Sequence, residues 1–186
     1  MILGITGKNA AGKGETAKYL AEKGFSCFSL SDLLREEATR LKIEHTRDNL
    51  IKLGNDLRKN HGASCLAKKA NEKIKNSGTL PSGKEFAIDS IRNPEEIKEL
   101  RKNGKFFLIG VDAPIEIRFE RMVKRNRIGD ARTLEELRKQ EEKENTGEIA
   151  SQQLDKCLGM SDFIIKNDGT ISELHQKIDR LLIHLK

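Results

Sequence analysis

At 186 residues the chain has room for one well-packed core and little for two. Its 35 lysines and arginines outnumber 29 aspartates and glutamates, a net charge of +6 that suits a polyanion, but one tyrosine and no tryptophan argue against a stacking platform for single-stranded nucleic acid. Cys27, Cys65 and Cys157 are too few and too scattered for a disulfide framework or a zinc site, and no apolar run nears membrane-spanning length, so the expectation is a cytoplasmic protein with no membrane partner.

The first apolar run, Ile2 to Thr6, reads as a strand and leads into Gly7-Lys8-Asn9-Ala10-Ala11-Gly12-Lys13-Gly14-Glu15-Thr16. Strand, glycine-rich turn and helix start are the context of a phosphate-binding loop. Gly7 and Gly12 allow a nest in which the backbone amides through Asn9, Ala10, Ala11, Lys13, Gly14 and Glu15 converge on phosphate oxygens, the helix start adds its positive dipole end, and Lys13 bridges the β and γ phosphates. A nucleotide is the implied ligand. Glycine at position 14 replaces the Ser or Thr that usually coordinates magnesium, so the metal is expected to be held through water and phosphate oxygens. Thr16 is a poor substitute, since it points roughly 160° around the helix from position 14.

Phe25 to Leu30 reads as the second strand, and Asp32 as a cap for a helix from Leu33. Leu33, Leu34, Ala38 and Leu41, then Leu50, Leu53 and Leu57, then Cys65, Leu66, Ala70 and Ile74 recur at helical spacing, predicting two or three helices ended by the turn cluster Ser77 to Gly83. Glu85 to Asp89, Phe106 to Val111 and Asp162 to Lys166 complete five strands. Ala113-Pro114 starts a helix to about Arg127, and Gly129 to Thr133 breaks it before a charged helix from Leu134. Alternating strands and helices predict an α/β fold with a parallel sheet, whose carboxyl-end rim gathers the ligand-binding residues.

In this order the motifs resemble the P-loop kinases of small acceptors, the nucleoside monophosphate kinases and dephospho-CoA kinases, and most of all an archaeal nucleotide-kinase-like group with a Gly-Lys-Gly-Glu loop. The matching stretches are the loop, Ser31-Asp32-Leu33-Leu34-Arg35, Leu57-Arg58 with Gly62, Asp89-x-x-Arg92-Asn93-Pro94-x-Glu96, Arg118 to Arg127, and Asn167-Asp168-Gly169-Thr170. The resemblance implies a P-loop NTPase three-layer α/β/α domain over residues 1–186, with a helical acceptor-binding region at about 32–77 and a small lid at about 121–145. It implies ATP as donor with Mg2+, and a small phosphorylated acceptor. Lys13, Asp89, Arg121 and Arg125 are the catalytic residues it implies, with Asp89 holding the metal through water or orienting the acceptor hydroxyl. Asn167 and Gly169 match the turn beside the adenine, and Asp32, Arg35, Arg58 and Arg92 match acceptor ligands. Ser31 departs from a family glycine, and Gln140 stands where lids often carry arginine. Arg58, Arg118 and Arg127 read equally well as solvated helix charges. A nucleoside monophosphate is the first acceptor implied and dephospho-CoA the second, while a nucleotide-gated, RNA-associated NTPase is a reading from another class.

Overall fold

The computed structural model describes residues 1–76, 85–127, 129–145 and 147–185, so the expected turn cluster Ser77 to Gly83 lies outside the described residues. Five strands, β1 (Ile2–Thr6), β2 (Ser26–Ser29), β3 (Phe86–Asp89), β4 (Phe106–Asp112) and β5 (Phe163–Lys166), form one parallel sheet in the order β2-β3-β1-β4-β5. In register, Gly4 of β1 lies between Ile88 of β3 and Leu108 of β4. The strands match the expected ones to within one or two residues at their ends.

Strand alternation divides the core in two. Ile2, Phe86, Ile88, Phe106 and Leu108 point to one face, where they pack under α2 (Leu30–Arg40), α4 (Cys65–Asn76) and α5 (Pro94–Arg101) through Leu33, Leu66, Ile74, Ile97 and Leu100. Leu3, Ile5, Ala87, Ile109 and Val111 point to the other, against Leu20 of α1 (Lys13–Glu22) and Leu174, Ile178, Leu181 and Leu182 of α9 (Ile171–Leu185). The result is the three-layer α/β/α arrangement expected. Three helices fill the long interval after β2, with α3 (Arg47–His61) between α2 and α4. Beyond β4 come α6 (Ile115–Arg125), α7 (Leu134–Lys143) and the short α8 (Leu154–Gly159).

Two helix boundaries correct the sequence reading. α2 starts at Leu30, three residues early, because Ser29 and not Asp32 is its cap: the Ser29 hydroxyl accepts from the Ser31 amide at 3.2 Å. Asp32 therefore sits in the first turn, where a carboxylate favours the positive helix end. α6 stops at Arg125 and not Arg127, since Asn126 takes the left-handed conformation (φ 44°) that closes a helix. The α8 and α9 helices went unread, although Leu174, Ile178, Leu181, Leu182 and Leu185 carry a clear helical period.

Candidate functional site

All five strand ends open on the same rim, and a cleft of about 780 Å³ runs along it. The loop after β1 forms one wall. Its backbone requires glycine at two points: a Cβ on Gly7 (φ +146°) would lie 2.1 Å from the Val111 carbonyl oxygen, and one on Gly12 (φ +112°) 2.1 Å from Asn167 Nδ2. α1 begins directly after Gly12 with no side-chain cap, which leaves its first-turn amides to a ligand. Lys13 folds back over the loop, donating to the carbonyls of Gly7 at 2.8 Å and Lys8 at 2.9 Å. Burial pushes its ammonium down to about 8; Arg92 and Arg125 push the same way, and Asp89 and Glu144 oppose them.

Position 14 is open space: a Cβ there would meet nothing within 4 Å. Thr16 is fully buried and its hydroxyl donates to the Gly12 carbonyl at 3.2 Å, within the start of its own helix. Asp89, at the end of β3, is half-buried, lines the cleft and accepts from the Ser90 amide.

The cleft wall also includes Asn9, Ala10, Gly12, Gly14, Glu15, Asp32, Arg35, Arg58, Arg92, Arg121 and Arg125, so most expected site residues meet there. Ala11 is wholly buried beneath the loop, where its carbonyl receives Asn167 Nδ2 at 2.8 Å. Asn167 thereby joins the turn after β5 to the phosphate-binding loop. Arg121 extends the same contact, reaching Asn167 Oδ1 at 3.5 Å and the Gly169 carbonyl at 3.3 Å, with Nη1 buried and unpartnered.

Several of the cleft arginines are held by carboxylates. Arg125 makes a two-pronged pair with Asp130 (2.8 and 2.7 Å) and reaches Asn9 Oδ1 at 3.0 Å. Burial alone would raise the Asp130 carboxyl, but the bonds from Arg125 and the Arg127 amide hold it below the usual carboxylate range. Arg35 pairs with Asp32 at 2.6 Å on the exposed first turn of α2. Arg92 donates to Gln152 at 2.9 Å.

Arg58 corrects the reading of a solvated helix charge. It is 4% exposed and pairs with the sealed Glu96 at 2.9 Å, leaving Nη1 without a partner. Arg118 is no solvated charge either; it is buried, bonded to the Ala113 carbonyl and paired with Glu141, and so ties α6 to α7. Arg127 is exposed and lines the cleft. Sequence reasoning missed Arg47, Asp130, Glu144 and Gln152, all of which line it too. Glu144 bonds Arg47 and lies 3.8 Å from Arg92.

Residues 3–155 match the family model of the AAA domain, and the UPF0200 protein of Sulfurisphaera tokodaii is 37% identical over 183 residues, covering 97% of this chain and 95% of that one. The chain belongs to the UPF0200 family of AAA-domain proteins. Among solved structures, the UPF0200 fold superposes on TT1252 from Thermus thermophilus with a TM-score of 0.62 at 18% identity, covering 100% of this chain and 98% of that one. Dephospho-CoA kinase from Campylobacter jejuni gives 0.54 at 18% identity, with 100% and 97% covered. These likenesses establish a P-loop kinase-like fold for this UPF0200 chain. Among the described residues no helix is long and apolar enough to cross a membrane.

Proposed function

We propose that the protein transfers the γ-phosphoryl group of ATP to a small acceptor that carries an anionic group. The supporting observation is a second cationic group in the cleft of the phosphate-binding loop: Arg35, Arg58 and Arg92 line it together with Lys13. A nucleotide hydrolase that acts through conformation needs the loop but not the second site. In this reading the loop and Lys13 hold the donor phosphates, Asn167 and Gly169 border the adenine, and Asp32, Arg35, Arg58 and Arg92 receive the acceptor. Arg121 and Arg125 then neutralise charge on the transferring oxygens, so that catalysis rests on positioning and charge.

The residues present suit magnesium held mostly by the nucleotide. Gly14 offers no side-chain oxygen, Thr16 is engaged with Gly12, and among the described residues no group of three or more His, Cys, Asp or Glu is arranged to hold a metal ion. Asp89 supplies one carboxylate, in keeping with an ion that keeps most of its waters. When bound, the ion supplies charge neutralisation to the phosphates.

Two acceptors fit this reading. A nucleoside monophosphate receives the group on a phosphate oxygen and dephospho-CoA on a hydroxyl. The test is ATP consumption, with product analysis, across nucleoside monophosphates, deoxynucleoside monophosphates and dephospho-CoA. Acceptor-dependent turnover abolished by Lys13→Ala is the expected result. ATP hydrolysis indifferent to every acceptor, with salt-sensitive RNA binding, would favour the RNA-associated NTPase instead.

A further inference from the structure

Among the described residues, five that line the cleft each carry a buried side-chain atom with no hydrogen-bond partner: Asn9 Nδ2, Arg47 Nε, Arg58 Nη1, Arg121 Nη1 and Glu144 Oε2. Four are donors, and the oxygens of an anionic ligand answer them. The fifth is an acceptor, and no anion can satisfy it. Glu144 is sealed at 2% exposure; its Oε1 receives Arg47, while Arg92 stops 3.8 Å from Oε2 and gives its bond to Gln152. A buried carboxylate oxygen left without a donor is costly, so a ligand that brings one is favoured.

The place of Glu144 indicates which ligand group that is. Glu144 lines the same cleft as Lys13 and Asp89, and Arg92, 3.8 Å from it, follows the strand that ends at Asp89. Asp89 gives one oxygen, Oδ1, to the Ser90 amide, and in the phosphotransferase reading its carboxylate serves the metal's water shell. A phosphate oxygen arriving as nucleophile would bring negative charge against Glu144 and no proton to bond it, whereas an alcohol brings the missing donor. We propose that the receiving group is an alcohol hydroxyl bonded to Glu144 Oε2, on an acceptor whose anionic group the cleft arginines hold. This rests on the phosphotransferase reading and chooses between its two acceptors. In the step, the hydroxyl oxygen bonds to the γ-phosphorus, the bond from that phosphorus to the β–γ bridging oxygen breaks, and ADP leaves with the electron pair. The hydroxyl proton passes to Glu144 and then to solvent. The product is a phosphate monoester.

The full chain with ATP and magnesium is assayed against AMP, CMP, GMP, UMP and dephospho-CoA, and the product is read by phosphorus NMR, which separates monoester from phosphoanhydride. Glu144→Gln and Glu144→Ala are compared with Glu141→Gln, which breaks another buried ion pair at the same end of α7, with Arg118, and does not line the cleft. Expected are a monoester product and a kcat at least a hundredfold lower in both Glu144 variants, with the affinity for a non-hydrolysable ATP analogue within threefold of wild type. Glu141→Gln, matched to them in melting temperature, should keep kcat within tenfold. A phosphoanhydride product from a nucleoside monophosphate overturns the inference and leaves the phosphotransferase reading standing. A monoester made at near wild-type rate by Glu144→Gln, or an equal loss in Glu141→Gln, overturns the role of Glu144. Absence of transfer to all five acceptors by protein that binds the ATP analogue overturns both.

Discussion

Arg58 on α3 and Glu96 on α5 pair at 2.9 Å with side-chain exposures of 3% and 0%. The carboxylate does more than neutralise the arginine. Its second oxygen accepts the amides of Arg92 (2.9 Å) and Asn93 (3.1 Å), completing the capping box that starts α5 and fixing the turn that carries Arg92 into the cleft.

Breaking that pair from one side strands a buried charge, which costs about 3–5 kcal/mol. Glu96→Ala is therefore expected to lower unfolding stability by about that much in urea denaturation, with the loss of the α5 cap adding about 1 kcal/mol. Arg58→Met, which removes the charge but keeps much of the bulk, strands Glu96 instead and is expected to fall in the same range. A loss under about 1 kcal/mol for both variants would show that water reaches the pair.

Lys13 predicts a proton linkage. Its folded value, about 8, is depressed from 10.5, so between these values the unfolded chain keeps a proton that the folded chain has released. The unfolded state then binds more protons, and the Lys13 contribution to stability rises from about pH 8 to about pH 10.5 and is flat below. A bound polyphosphate stabilises the ammonium, so ATP-analogue binding at pH 8–9 should take up protons, read by calorimetry in buffers of different ionisation enthalpy. Lys13→Met should abolish that uptake and phosphoryl transfer together while the protein remains folded. Uptake unchanged in Lys13→Met would move the titrating group elsewhere.

The local parts of this site were legible and the long-range parts were not. Glycines 7 and 12, Lys13, Asp89 and the strand that delivers each are contiguous patterns, and in the fold Gly7 and Gly12 take positive φ while Lys13 and Asp89 line the cleft. Ser29 and Asp32 are both competent caps, and the sequence does not say which backbone turns first; β2 ends at Ser29 and so decides it. Arg58 finds Glu96 across 38 residues, and Glu144 finds Arg47 across 97. A charge in a charged helix looks solvated until the fold brings its partner, so Glu144 at the end of the very polar α7 carried no local sign of burial.

The glycine at position 14 predicts the metal response. Thr16→Val loses a hydroxyl that bonds only the Gly12 carbonyl in the helix backbone, so the magnesium concentration for half-maximal turnover should stay within twofold of wild type. Gly14→Ser enters open space and places an oxygen where one is lacking, so half-saturation should shift to lower magnesium. Collapse of activity in Thr16→Val with folding stability retained would make Thr16 a metal ligand.

Arg125 and Asp130 predict an acid limit. The Asp130 carboxyl titrates below its ordinary range, so the stability it confers is full above the unfolded value and is lost as pH falls through the folded one. Asp130→Asn should flatten the decline in melting temperature below about pH 4. It should also leave Arg125 with Asn9 as its remaining partner. If Arg125 acts on the transferring group only after leaving Asp130, that variant binds the ATP analogue more tightly than wild type; weaker binding would mean that Asp130 positions Arg125 for the nucleotide.

The acceptor side is tested by geometry at constant charge. Arg35 follows β2 and Arg92 follows β3, neighbouring strands whose ends Ser29 and Asp89 are in register, so both side chains open on one part of the cleft. Replacing either with lysine keeps the charge and loses the planar fork that grips two oxygens of one anion. Losing one charge-assisted hydrogen bond costs about 1.5–3 kcal/mol, which weakens acceptor binding by about ten- to a hundredfold. Calorimetric titration of Arg35→Lys and Arg92→Lys with the best acceptor should show that loss, and titration with the ATP analogue should not. Arg92→Lys is expected to be the more severe, because Arg92 is the better buried of the two and is fixed by the turn that Glu96 caps, whereas Arg35 stands on an exposed helix turn. Loss of ATP-analogue binding with acceptor binding kept would assign both arginines to the donor and reverse the division of the cleft.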